Sequence, residues 1–296
     1  MAHKLLINLL GEFRIEYEGN SLAAFSADRL QSLLAYLLLH RSAPQPRHHL
    51  AFQLWPDSSE SQARTNLRNL LHNLRNNLPD AETFLDITNM TLQWRGDAPC
   101  RLDIEDFAQA RAAAAEAEGS SALTEARRHL ETAADAYKGD LLPGNYDDWV
   151  LALREDLRHQ YADALLRLIS VLEQLGDLRA ALQYGQRLLH DDPLNEATYV
   201  TLMRLYALSG DRGGVRRIYQ QCAAILEREL GVEPGPATVT AYEQILRMEP
   251  APVTILPTAT PMPVASVPTP TRPRLSPPKV RRRSSGVNVN WPNWPS

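Results

Sequence analysis

The chain has 296 residues, 44% of them hydrophobic and 22% charged, with a formal net charge of −4. Its length exceeds what a single core usually fills and predicts two folded domains plus a less ordered part, while the negative total excludes a uniformly basic, nucleic-acid-coating protein. Cys100 and Cys222 are the only cysteines and no Cys/His spacing suits zinc, which excludes a disulfide framework and a structural metal site.

Residues 5–10 form a short apolar run that Gly11 breaks. Phe13, Ile15 and Tyr17 then alternate with polar neighbours at the period of a half-buried strand, and Gly19-Asn20 is the predicted hairpin turn. The run is too short for a signal peptide or a membrane span, so the expected location is the cytoplasm, with no membrane partner. From Ala27 to His40 the period becomes helical, through Leu30, Leu33, Leu34, Leu37 and Leu38, until Pro44 and Pro46 stop it. A second helix is predicted over Arg47–Trp55, with Pro46 able to open it where the missing N–H is harmless.

A third helix is predicted from Ser58/Ser59, whose hydroxyls can cap it, to about Leu78. Phe84, Leu85 and Ile87, a turn at Asn89, and Leu92 and Trp94 then read as a β-hairpin. Strands, three helices and a hairpin are the element order of a winged helix-turn-helix with an extra N-terminal sheet. Residues 27–78 carry Arg29, Arg41, Arg47, Arg64, Arg68 and Arg75 against Asp28, Asp57 and Glu60, a local excess of +3 inside an acidic chain.

Projected at about 100° per residue, the third helix puts Ala63, Leu67, Leu70, Leu71, Leu74 and Leu78 on one face. Arg64, Arg68, His72 and Arg75 share a neighbouring arc of roughly 80°, and Ser61, Thr65, Asn69 and Asn76 complete the polar side. These are the donors that read purine edges and hold phosphates in a major groove. Taken alone, the same pattern also describes the solvated side of a surface helix. Context favours DNA: the candidate contacts are Arg64, Thr65, Arg68, Asn69, His72 and Arg75 on this helix, Arg47 at the start of the second, Arg29 at the start of the first, and Thr88, Asn89 and Arg95 in the wing. His48 and His49 read equally well as phosphate contacts or as plain surface residues.

From Ile104 to Arg247 the pattern is helical, interrupted at Gly119-Ser120, Lys138–Tyr146, Gly176-Asp177, Asp192-Pro193, Gly210-Asp211 and Gly231–Pro236. A 34-residue offset lays Gly176-Asp177 on Gly210-Asp211 and Leu168 on Leu202, the period of tetratricopeptide helix pairs. Gly213-Gly214 is expected to loosen the second pair by ~1 kcal/mol per glycine. Asp147-Asp148, beside Trp149, read as a helix start rather than a catalytic pair. Tyr161, Tyr184, Tyr199, Tyr206 and Tyr219 fit inter-helix packing better than a peptide groove. No phosphate-binding glycine loop, His-Glu-x-x-His or Gly-x-Ser-x-Gly motif occurs, so neither an enzyme nor a cofactor is expected. Beyond residue 249, closely spaced prolines predict a mobile tether that carries Lys279, Arg281, Arg282 and Arg283 and ends near Trp291 and Trp294.

Three segments together carry a family resemblance: Leu33-Leu34-Ala35-Tyr36-Leu37; Leu50-Ala51-Phe52-Gln53-Leu54-Trp55-Pro56-Asp57; and Ala63-Arg64-Thr65-Asn66-Leu67-Arg68-Asn69-Leu70-Leu71-His72-Asn73-Leu74-Arg75. They resemble the OmpR-type winged helix of the antibiotic-regulatory-protein (SARP) activators. Tyr137-Lys138-Gly139-Asp140-Leu141-Leu142-Pro143-Gly144, Tyr146-Asp147-Asp148-Trp149-Val150 and Glu229-Leu230-Gly231-Val232-Glu233-Pro234 resemble the bacterial transcriptional activator domain that follows it. The resemblance implies a multidomain α+β then all-α chain. Its parts would be a winged helix-turn-helix with an N-terminal β-sheet over 1–100, a tetratricopeptide-like domain over 101–248 and a disordered Pro-rich tail over 249–296.

It further implies a transcriptional activator that binds double-stranded DNA as a homodimer on repeated sites, contacts RNA polymerase and works at the nucleoid. Relatives often continue into an ATPase domain. Here the first helix offers only Arg29 beside Asp28, fewer cations than is usual in the family. The competing reading is a protein-interaction scaffold that uses the helical repeats without DNA.

Overall fold

A computed structural model describes residues 4–247 of the chain. The basic cluster Lys279–Arg283, the two terminal tryptophans and the proline-rich tether lie outside the described residues. Four strands form the first sheet: β1 (Leu5–Asn8), β2 (Arg14–Tyr17), β3 (Asn20–Ser21) and, far along the chain, β7 (Cys100–Leu102). Their order is β3-β2-β1-β7, antiparallel except for the parallel β1–β7 pair. The β2–β3 turn is Glu18-Gly19, one residue earlier than expected, because Tyr17 pairs with Asn20 and both turn residues adopt positive φ, at 49° and 83°. That is the geometry of a two-residue hairpin, which glycine tolerates at its second position.

The helices α1 (Asp28–Leu39), α2 (Arg47–Leu54) and α3 (Glu60–Asn77) follow. Leu30, Leu33, Leu34, Leu37 and Leu38 of α1 are buried, as their spacing predicts. Pro46 does not open α2; it is its N-cap and belongs to the two-residue strand β4 (Gln45–Pro46). This strand pairs with β6 (Thr91–Trp94), which pairs with β5 (Leu85–Ile87), so the wing is three-stranded. A one-turn helix, α4 (Ala81–Phe84), enters the wing after Asp80 in the left-handed region, a link that the Pro79-Asp80 signal predicts only as a stop.

Seven helices complete the described residues: α5 (Asp103–Gly119), α6 (Leu123–Ala136), α7 (Asp148–Gln174), α8 (Leu178–Asp191), α9 (Glu196–Leu208), α10 (Arg212–Leu230) and α11 (Pro236–Arg247). The 34-residue offset reappears in detail at two helix starts. Gly176 and Gly210 both take positive φ, and Asp177 and Asp211 each accept a capping bond three residues on, from the N–H groups of Ala180 and Gly214. Of Gly213-Gly214, the second has a packing role that the expected loosening leaves out. A Cβ on Gly214 would lie 2.4 Å from the Tyr206 ring, so the glycine lets α10 approach α9. The tyrosines mainly pack: Tyr161 stacks on Tyr137 at 4.2 Å, Tyr219 on Tyr242 at 4.0 Å, and buried Tyr199 donates to the Pro193 carbonyl.

One apolar core runs through both halves, joining Leu5, Ile7 and Leu33 to Leu141, Val150, Tyr161 and Leu188. Within the expected loop Lys138–Tyr146, the segment Lys138–Asn145 closes that junction. Gly11 donates to the Asp140 carbonyl and Leu142 to the Leu9 carbonyl, and a Cβ on Gly11 would meet the Lys138 carbonyl at 3.0 Å. Buried Arg154 donates to the carbonyls of Leu141, Leu142 and Asn145 at 2.8–2.9 Å and fixes the segment from below. Asp103, also buried, accepts from the backbone N–H groups of Leu9 and Leu10. Burial pushes its carboxyl above the usual range, against those donated bonds.

Candidate nucleic-acid interface

The local structure of α3 follows from its ends and its leucines. Ser59 accepts a bond from the Gln62 N–H and starts the helix, and Leu67, Leu71 and Leu74 turn one face into the core, with Leu70 half-buried at its edge. Their burial leaves Arg64, Thr65, Arg68, Asn69, His72, Arg75 and Asn76 exposed on one side. Arg68 and Arg75 have no ion pair among the described residues. Arg64 reaches back to Glu60 at 2.6 Å, with both side chains more than 60% exposed. An exposed pair at this spacing contributes only ~0.3–0.5 kcal/mol, and a phosphate can displace it.

Two open grooves flank this face. One, of 770 Å³, is lined by Arg47, Arg68, His72, Arg75 and Asn76, with Asp80 and Glu82 at its far side. The other, of 300 Å³, lies between α3, the start of α2 and the wing tip, lined by Arg47, His48, Arg64, Arg68, Asn89 and Met90. Arg47 is half-buried, and its Nε is covered yet has no hydrogen-bond partner. Four cations from two helices thus converge on one concave strip, where low-dielectric walls focus the positive field.

The remaining candidates divide. Thr65 Oγ1 donates to the Ser61 carbonyl at 2.9 Å, so its hydroxyl is engaged within α3. His72 Nε2 lies 2.9 Å from the Asn76 amide nitrogen. Thr88 shapes the wing turn: its Oγ1 accepts from the N–H groups of Met90 and Thr91 and bonds the Thr91 hydroxyl. Asn89 sits exposed at the tip. Arg95 lies past the far end of β6, where its N–H bonds the Phe84 carbonyl and its guanidinium faces Asp97 at 3.4 Å, so it is not at the wing tip.

Arg29 also departs from expectation. Its guanidinium pairs with Asp147 at 2.8 Å, and the other oxygen of that carboxylate accepts from Ser32 at 2.6 Å. Asp147 therefore holds the N-cap position of α7 without capping it by its side chain, because its oxygens grip α1 instead. Trp149 meets Tyr36 edge-on at 5.1 Å, and Arg41 pairs with Glu105 of α5. These contacts make α1 the platform on which the helical domain sits. The signal that pointed there was the Tyr146–Val150 segment with its acids and tryptophan, which helix periodicity alone reads only as a helix start.

Residues 102–246 match the family model described as bacterial transcriptional activator domain. The chain is 26% identical over 259 residues to the transcriptional regulatory protein MoaR1 of Mycobacterium tuberculosis, covering 84% of this chain and 81% of that one. It is 28% identical over 250 residues to the regulatory protein AfsR of Streptomyces coelicolor, covering 83% of this chain but 25% of the relative. Among solved structures, Mycobacterium tuberculosis EmbR, described in complex with a low-affinity phosphopeptide, superposes with a TM-score of 0.69 at 24% identity. That likeness of fold covers 84% of this chain and 66% of the other.

Proposed function

Since this chain is a SARP-like transcriptional regulator, a winged helix followed by a bacterial transcriptional activator domain, we propose that it binds double-stranded DNA sequence-specifically with α3 in the major groove. The observation that carries this reading is the free cationic strip of Arg47, Arg68 and Arg75, with Arg64 held only by an exposed pair. Arg64, Arg68, Asn69, His72 and Arg75 are the base and phosphate contacts on α3. Arg47 anchors the backbone from α2, and Asn89 reaches the adjacent groove from the wing.

The protein acts in the cytoplasm at the nucleoid as an activator, as a homodimer on repeated sites, with the helical domain supporting dimerisation and contact with RNA polymerase. Rigid attachment of that domain to α1 supports this arrangement, because bound DNA then fixes where the second domain points. Among the described residues no helix is long and apolar enough to cross a membrane. Genome-wide footprinting of the full chain tests the reading: protected repeats upstream of transcription units are the expected result. An absence of any footprint, together with salt-insensitive capture of a protein partner, would replace it with the scaffold reading.

A further inference from the structure

The wing has an unusual composition for an element placed beside a polyanion. From Leu85 to Trp94 it contains no lysine or arginine, and Asp86 is its only charged residue. Arg95 lies past the far end of β6, beside Asp97, so the tip offers only Thr88, Asn89 and Met90. That tip is firmly built. Thr88 N–H donates to the Thr91 carbonyl, Thr88 Oγ1 accepts two backbone N–H groups, and the Arg47 N–H donates to the Met90 carbonyl at 2.9 Å, tying the turn to the start of α2. Out of this rigid turn Met90 projects with 74% of its surface exposed, on the rim of the groove that Arg47, Arg64 and Arg68 line.

Resting on the DNA reading above, we infer that Met90 is a specificity-determining residue, an apolar probe that the wing inserts into the minor groove, so that this half of the interface reads groove width and base edges without charge. A sugar-phosphate strand lying in the cationic groove separates the major groove, occupied by α3, from the minor groove at the wing. Unbranched and polarizable, a methionine fits a narrow groove and can wedge between base steps. Because it neutralises no phosphate, its contribution is independent of salt, unlike that of the α3 arginines. Exposed single apolar side chains are common; what distinguishes Met90 is its place on a fixed turn at the edge of a groove lined by Arg47, Arg64 and Arg68.

The test uses the full chain and a duplex that it selects from a random pool. Met90→Ala is expected to weaken binding to the selected duplex roughly tenfold, given what burial of its three lost heavy atoms contributes, with the slope of log K against log salt unchanged. Met90→Arg is expected to steepen that slope by about 0.9, as one added phosphate contact does. Replacing guanine by inosine at the wing-facing step removes the minor-groove amino group and leaves the major-groove pattern intact. That change is expected to alter the affinity of the parent protein and to have little effect on Met90→Ala. Parental affinity and an unaltered inosine response in a folded Met90→Ala protein would overturn the inference while leaving α3 as the reader. Failure of the parent to select any duplex would instead overturn DNA binding itself, and the role of Met90 with it.

Discussion

Arginines on the two sides of the winged helix behave oppositely. On the α1 side Arg29 and Arg41 meet Asp147 and Glu105 of the helical domain, and Arg154 below them donates to three backbone carbonyls. On the α3 side Arg68 and Arg75 face open grooves. The local excess of +3 in residues 27–78 thus contains two populations: one closes an intramolecular junction, and the other leaves a field for a polyanion. A guanidinium acquires its function from whether an acid or a carbonyl lies within reach, and for Arg29 that acid is 118 positions away.

The largest break in this comparison is expected at Arg154. Arg154→Ala removes the guanidinium donors from three carbonyls, of which Leu142 keeps the Asn145 N–H; with about 1–3 kcal/mol for each of the two left without that donor, a loss of roughly 3 kcal/mol is expected, read as a lowered midpoint in urea. A midpoint within error of the parent would show that the Lys138–Asn145 segment does not hold the junction. Gly214→Ala forces a methyl group against the Tyr206 ring and is expected to cost about 1–3 kcal/mol. An alanine protein as stable as the parent would restore the view that this glycine merely loosens the repeat.

Asp147→Ala is expected to cost about 1 kcal/mol, since it removes the acceptor of buried Ser32, while the half-exposed Arg29 pair contributes little through water. Hydrogen exchange should then rise in α1 and at the start of α7; protection that stays at the parental level would argue that Trp149 and Tyr36 suffice. The smallest effect concerns pH. Arg158 beside Asp140 holds that carboxyl below its usual range, so the native state binds fewer protons there than the unfolded chain. The contribution is present above the ordinary carboxylate pKa and is lost as pH falls through the lowered value. Asp140→Asn should therefore make the acid limb of the stability curve shallower, and an unchanged limb would remove this carboxylate from the account.

Much of this was legible in the sequence, for identifiable reasons. The leucines of α3 bury one face, so their spacing alone places its opposite side in solvent, whereas α1 is buried nearly all round from Ser32 to Leu38. The Gly-Asp pairs at 176 and 210 start their helices by the same turn and cap, so an internal offset finds them. What the sequence could not disclose were pairings at long range. Arg29 reads as a phosphate contact because Asp147 is 118 residues away, and Gly214 reads as a defect because the Tyr206 ring that needs the space lies on another helix. Arg95 reads as a wing residue by proximity along the chain, although β6 runs away from the tip before reaching it. Two-residue β4 carries too little pattern to be seen, and it is this strand that brings Arg47 to the wing.

The salt dependence of DNA binding, measured on the full chain for the parent, Arg68→Ala/Arg75→Ala and Arg29→Ala, tests the division between the two arginine populations most directly. Loss of both α3 arginines should reduce the slope of log K against log salt by about 1.8, at roughly 0.9 for each phosphate contact, while Arg29→Ala should leave the slope at its parental value. A parental slope in the α3 variant, or a drop of similar size on removing Arg29, would contradict the assignment of the DNA-binding surface to α3.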